Sequence, residues 1–474
     1  MLAPSTAALV RRPAWLCGAV VVLVGFAIFQ GSILSSDAST ELQLATSLAH
    51  GHLGTVWHQG RYTLEPSLVL LPAGLAQLVG GNVLRGFVAG IEFLVLGGLL
   101  VVLGTTWTAA LHREETERDR GQLVLVATIA TLLWVYVAKE PMDVLLAALL
   151  ALCSVRALQA ERVGWAGISL GALLCARDQM IPVAILGAVA VILPLLRSKR
   201  FVDAVRAGAP VLIALGLTGL VNSARYGSPT NAGPGYQHVV SYGFSGSAII
   251  NSLISPQAGL LFFAPLCLLG IAWAWPRWLR DPGRPTSALL AMTLTLAMVA
   301  SAWFIHPSGG YLEIWSWGRS CRYLVPMVPL TAYLVPRHPL AAMRPLTWLA
   351  AGVGALWSLP MLLVPYDAQQ RFYPRSSPDG PSVWRQFTLI PRVVGNSIHL
   401  LVHGSSPFHH SAYFVSLWQI GTVRSLGRAS LVLSIPLTAL GLGLGIWLVV
   451  QLAQTQGQPD MRPARTARGE SRRP

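Results

Sequence analysis

The first two acidic residues of the chain, Asp37 and Glu41, stand one helical turn apart in "SSDASTELQLATSLAHGHL", residues 35 to 53, directly after a long apolar run. Placed at helical steps, Leu42, Leu44, Ala45, Leu48, Ala49 and Leu53 form one broad apolar face, and Ser39, Thr40, Gln43, Thr46, Ser47 and His50 form the polar one. Asp37 and Glu41 fall within the apolar sector. A carboxylate turned toward lipid or packed protein is costly unless it has a partner or a task. Two readings stand: Asp37, following two serines, caps the helix, or the acids bind a ligand or move a proton.

Basic residues at the edges of apolar runs are the second group: Lys139, Arg177, Arg225, Arg319 and Arg322. Such a cluster suits an anionic partner such as a phosphate; pairing with Glu140, Asp143, Asp178 or Glu313, or snorkelling to headgroups, is the structural alternative. In "SGGYLEIWSWGRSCRYLVP", residues 308 to 326, Tyr311, Trp315, Trp317 and Tyr323 interleave with Arg319 and Arg322. Aromatic faces beside guanidinium groups suit sugar stacking and phosphate contact. An aromatic belt at a membrane interface has the same look. No metal site is expected: His409 and His410 are adjacent, His50 and His52 should point apart on a helix, and no ligand spacing for zinc occurs. No phosphate-binding loop, dinucleotide fingerprint or nucleophile elbow is present.

The elements that must position these residues are membrane helices. The chain has 474 residues, 53% hydrophobic and 11% charged, with mean hydropathy +0.56, against about 25% charged residues in soluble domains. The net charge of +15 gathers in the gaps between apolar runs, at Arg11 and Arg12, Arg113 to Arg120, Arg156 and Arg162, Arg197 to Arg206, Arg277 to Arg284, Arg337 and Arg344, and Arg462 to Arg473. That is the positive-inside pattern, and nucleic acid is not an expected partner. Four of the five cysteines lie in apolar runs, so no disulfide framework is expected. The first apolar stretch, Ala14 to Leu34, is too long for a signal peptide and reads as a retained helix.

A bilayer core of about 30 Å takes about 20 apolar residues per helix, which gives about twelve spans. They fall near 14–34, 86–110, 122–138, 142–158, 163–176, 180–196, 207–222, 259–275, 286–304, 323–336, 346–365 and 429–451. The expected fold is all-α: one polytopic domain over 1–453, with an interfacial helix in the first extracytoplasmic loop, 35–85, and a basic, disordered tail over 454–474. Both termini are expected in the cytoplasm of a plasma-membrane protein, with loops 222–258, 306–322 and 366–428 on the outer side with 35–85. Residues 64–81 are apolar, but counting them as a span would invert every later loop, so they read as lying in the outer leaflet.

The order of the opening stretch, then "EPSLVLLPAGLAQLVGG", then "SPQAGLLFFAPLCLL" at 255–269 and "WSWGRSCRYLVPMVP" at 315–329, resembles the GT-C superfamily of membrane glycosyltransferases. Bacterial relatives of protein O-mannosyltransferases and lipid A aminoarabinose transferases are the nearest in look, over about Ala14 to Pro336. The resemblance implies transfer of a sugar from a polyprenyl-phosphate-linked donor to an extracytoplasmic glycan, lipid or protein acceptor, with inversion. Asp37 matches the catalytic base, and Arg322 matches a family arginine assigned to the donor phosphate; Arg319, Lys139, Arg177 and Arg225 join it by placement, Glu41 as a supporting acid, and Tyr311, Trp315 and Trp317 as sugar or acceptor contacts. The adjacent acids found in relatives are absent, so a divalent metal is not supported and no cofactor is expected; the "KPP" segment and the Arg of "SPGRG" are absent too, so donor-phosphate contacts are expected to differ from those of relatives. A transporter or lipid flippase, or a GT-C-like scaffold without activity, are the competing readings.

Overall fold

The structure is a computed structural model that describes residues 143–176, 180–230, 240–244, 246–254, 259–265 and 287–307, with shorter pieces at 47, 50–52, 54, 57, 268–269, 271–272, 327, 330, 345–346, 349–350, 352–354, 356–357, 387–392 and 395. Among these residues the architecture is helical, as expected: α1 (Asp143–Gln159), α2 (Val163–Ala176), α3 (Ile181–Arg197), α4 (Phe201–Tyr226), α5 (Gly246–Ile254), α6 (Leu260–Phe263) and α7 (Ser287–Phe304). One feature departs from an all-α chain. Strands β1 (Val240–Tyr242) and β2 (Ile305–Pro307) pair antiparallel, Ser241 opposite His306.

Helices α1 to α4 form two hairpins with closely similar turns. After α1, Glu161 N–H donates to Leu158 O and Arg162 N–H to Ala157 O at 2.9 Å; after α3, Lys199 donates to Leu196 O and Arg200 to Leu195 O at 2.9 Å. Both are Schellman closures, which satisfy the last carbonyls of a helix through one left-handed residue. Glu161 (φ 58°) and Lys199 (φ 59°) take that position, and both are exposed. Each turn therefore places charge at the same end of the bundle.

Within the bundle, α2 runs beside α4 in the same direction. A Cβ on Gly167 would overlap the Ala207 carbonyl, and one on Gly171 would lie 2.8 Å from the Pro210 oxygen and 3.4 Å from Ala214 Cβ. Residues 167 to 171 form a G-x-x-x-G step, which lets two backbones approach where side chains would hold them apart. Helix α3 packs on α4 and α7, with the Gly187 site bounded by Leu170, Leu290 and Leu294. Buried Ser154 and Thr295 turn their hydroxyls back to Ala151 O (2.6 Å) and Ala291 O (2.8 Å), so neither leaves a polar group unsatisfied in the core.

The sidedness of α4 inverts that of a water-soluble helix. Its buried positions are Ala204, Ala207, Val211, Ala214, Thr218 and Asn222. Its exposed ones include Leu212 (69%), Ile213 (62%) and Leu220 (68%). Small and polar side chains face the bundle and large apolar ones face out. With 26 residues, α4 is the one helix among the described residues long and apolar enough to cross a bilayer by itself.

Three expected boundaries need correction. The span read as 207–222 runs from Phe201 to Tyr226, because Asp203 pairs with Arg200 (2.7 Å) and Arg206 (3.5 Å) inside a charged but helical first turn. The span read as continuous over 259–275 breaks at Ala264 (φ −145°, ψ 55°), since the residue before Pro265 is driven out of the helical region. The segment 222–258, read as a loop, contains the end of α4, β1 and α5.

The glycine contact makes a direct prediction. Gly171→Leu or Gly167→Leu should destabilise the purified protein in detergent by about 1–3 kcal/mol through overpacking. Gly216→Leu, whose Cβ would meet nothing within 4 Å, should leave thermal unfolding unchanged, and equal losses at all three sites would contradict the packing.

Candidate functional site

Arg225, a candidate site residue, lies at the C-terminal end of α4, opposite the charged turns. Gly227 takes the left-handed conformation (φ 75°) and its N–H closes on Ser223 O at 2.9 Å, ending the helix. The chain then folds back: Asn222 Nδ2 donates to Pro229 O at 3.4 Å. Arg225 lies in this last turn, where the helix dipole favours a cation. Its guanidinium carbon sits 4.9 Å from the ring centroid of Trp57. A residue of the first loop is thereby brought onto the end of α4.

That first loop has its own helix stop. His52 N–H donates to Ser47 O at 2.8 Å across Gly51 (φ 77°), a Schellman closure like those after α1 and α3. The helix expected through residue 53 is therefore interrupted by the left-handed turn at Gly51. His50 and His52, expected to point apart, instead hold their rings 6.3 Å apart at 31°, because helical phase does not carry past the left-handed glycine.

Two further contacts join segments distant in sequence. The β1–β2 ribbon ties the stretch leaving α4 to the end of α7, extended by Gly243 N–H to Phe304 O at 2.9 Å and an edge contact of Phe244 with Phe304 at 5.5 Å. Phe262 of α6 lies 4.9 Å from Trp357, which meets Phe387 edge-on at 6.4 Å. Phe387 belongs to the long segment 366–428, and buried Leu389 follows it. That segment thus returns to the start of α6.

Of the residues singled out in the sequence, Arg225 is the one described. Asp37, Glu41, Lys139, Arg177, Tyr311, Trp315, Trp317, Arg319 and Arg322 lie outside the described residues. The sequence reading missed Trp57, the Phe262–Trp357–Phe387 stack and the ribbon. Trp57 carried a faint signal, an aromatic between two glycines in "GTVWHQG".

Among solved structures, the chain is similar to the crystal structure of ArnT from Cupriavidus metallidurans bound to undecaprenyl phosphate, at 16% identity and a TM-score of 0.48, covering 96% of this chain and 78% of that one. No protein-family model and no curated protein matches the chain.

The ribbon register is open to test. In a cysteine-free background, the Ser241→Cys/His306→Cys pair should form a disulfide on mild oxidation, detectable by peptide mass spectrometry. Pairing a cysteine at 241 with one at Leu289, near the start of α7 and far along the helix from β2, should give none.

Proposed function

We propose that the chain is a multi-pass membrane glycosyltransferase that takes a sugar from a polyprenyl-phosphate-linked donor and transfers it with inversion to an acceptor outside the cytoplasm. The observation that carries the reading is the ordered series of motifs from "SSDASTELQLATSLAHGHL" to "WSWGRSCRYLVPMVP". The Trp57–Arg225 contact is compatible with it, because it joins the segment that follows Asp37 in sequence to the end of α4 that carries Arg225. The inverted sidedness of α4 supports the membrane setting.

In this reading Asp37 is the general base. An acceptor hydroxyl is a weak nucleophile, and a carboxylate within hydrogen-bond reach removes its proton as the new C–O bond forms. The sugar–phosphate C–O bond breaks on the opposite face of the anomeric carbon, so configuration inverts and no enzyme nucleophile is needed. Arg322, with Arg319, Lys139 and Arg177, stabilises the charge that develops on the departing carrier phosphate, most strongly where water is excluded. Tyr311, Trp315 and Trp317 offer stacking faces to the sugar or acceptor. Glu41 supports Asp37.

Asp37→Asn should give a folded protein whose transfer rate, measured with radiolabelled polyprenyl-phosphate sugar in proteoliposomes, falls about 10²–10⁴-fold. Wild-type turnover by that variant would remove Asp37 as the base. Movement of lipid or solute by the wild type, with no glycosidic bond formed, would favour a transporter.

A further inference from the structure

We propose that Arg225 is a positioning residue, and that with Trp57 it forms a latch holding the first loop on the end of α4. What the loop does rests on the glycosyltransferase reading; the contact itself does not. Sequence placement put Arg225 among the phosphate contacts, yet the structure sets its guanidinium 4.9 Å from the Trp57 ring centroid. At that distance the cation is attracted by the ring's negative face.

Three features make the pair a latch. Its α4 side is fixed: Arg225 is half-buried in the last helical turn, and Gly227 closes that turn on Ser223. Its loop side is short: Trp57 lies five residues beyond His52, whose N–H closes the helix stop on Ser47. A pull on Trp57 therefore reaches the turn at Gly51 with little slack. The partners are also separated by 168 positions in sequence, so the contact adds a long-range constraint that neither loop supplies by itself. Trp57 remains 41% exposed, so the latch lies at the rim of the bundle. Arg225 then acts through Trp57 on the placement of the loop, and the carrier phosphate falls to the other basic residues.

Hydrogen exchange of the full-length protein in nanodiscs tests this without any substrate. Arg225→Gln and Trp57→Leu should each speed exchange of residues 47–57 by about two- to thirtyfold, the change that a cation–π contact of this kind supports. The double variant should match either single one, and Arg225→Lys with Trp57 intact should stay within about twofold of wild type, because the cation is retained. Exchange in α2 and α3 should be unchanged in all four, showing that the bundle is folded. Wild-type exchange in Arg225→Gln, or effects that multiply in the double variant, would overturn the latch. Undecaprenyl phosphate serves as a probe in a second arm: the latch requires Arg225→Gln and Trp57→Leu to change its binding equally. A tenfold loss confined to Arg225→Gln would make Arg225 a phosphate ligand and overturn the positioning role. Because the exchange arm needs no donor, failure of the sugar-transfer reading and failure of the latch are separate results.

Discussion

The close approach of α2 to α4 is the contact on which the described bundle depends. Gly167 and Gly171 leave no room for a Cβ against Ala207 and Pro210, so α4 lies where only a glycine face can receive it. Small residues suit this role where lipid competes for every large apolar side chain, since close backbone contact then adds dispersion that lipid does not match. Large side chains on α4 accordingly turn outward, and the hairpins α1–α2 and α3–α4 are joined at that seam, with a second contact where Leu170 of α2 meets the Gly187 site of α3.

Followed along the seam, the chemistry changes by steps. Glycine meets alanine at 167 and proline at 171; Cys175 Sγ then lies 3.6 Å from Thr218 Oγ1. One turn further, Asn222 holds the backbone at Pro229, and in the last turn Arg225 meets Trp57. Apolar packing thus gives way to hydrogen bonding and then to a charge against an aromatic face. The gradient matches the rise in polarity from the middle of a bilayer to its interface, where a cation and an indole are both at home.

Apolar length was the most legible signal in the sequence. The spans read at 142–158, 163–176, 180–196 and 286–304 differ by a residue or so at each end from α1, α2, α3 and α7. Errors arose where composition and backbone diverge. A charged first turn looks like a loop until Asp203 is seen paired with Arg200 and Arg206, and a run with one proline looks continuous until Ala264 leaves the helical region. The ribbon was hidden because three-residue strands carry too little alternation to be read. The chemistry of the site was legible as residue types, Asp37 and a set of basic residues, but not as contacts. Trp57 shows why: its partner lies 168 positions away, and no local periodicity encodes which of the chain's arginines it meets.

Under the membrane reading, that same contact limits the topology. Trp57 and Arg225 touch, so the number of crossings between them must be even. The runs at 86–110, 122–138, 142–158, 163–176, 180–196 and 207–222 supply an even count; adding 64–81 as a further span makes it odd and sends the two residues to opposite sides. The ribbon imposes the same parity between Tyr242 and Ile305. Charge in the loops and contact between the loops are independent physical signals, one set by insertion and the other by packing. Under that reading both signals favour the assignment in which Trp57, the stretch after α4 and the stretch after α7 share a face.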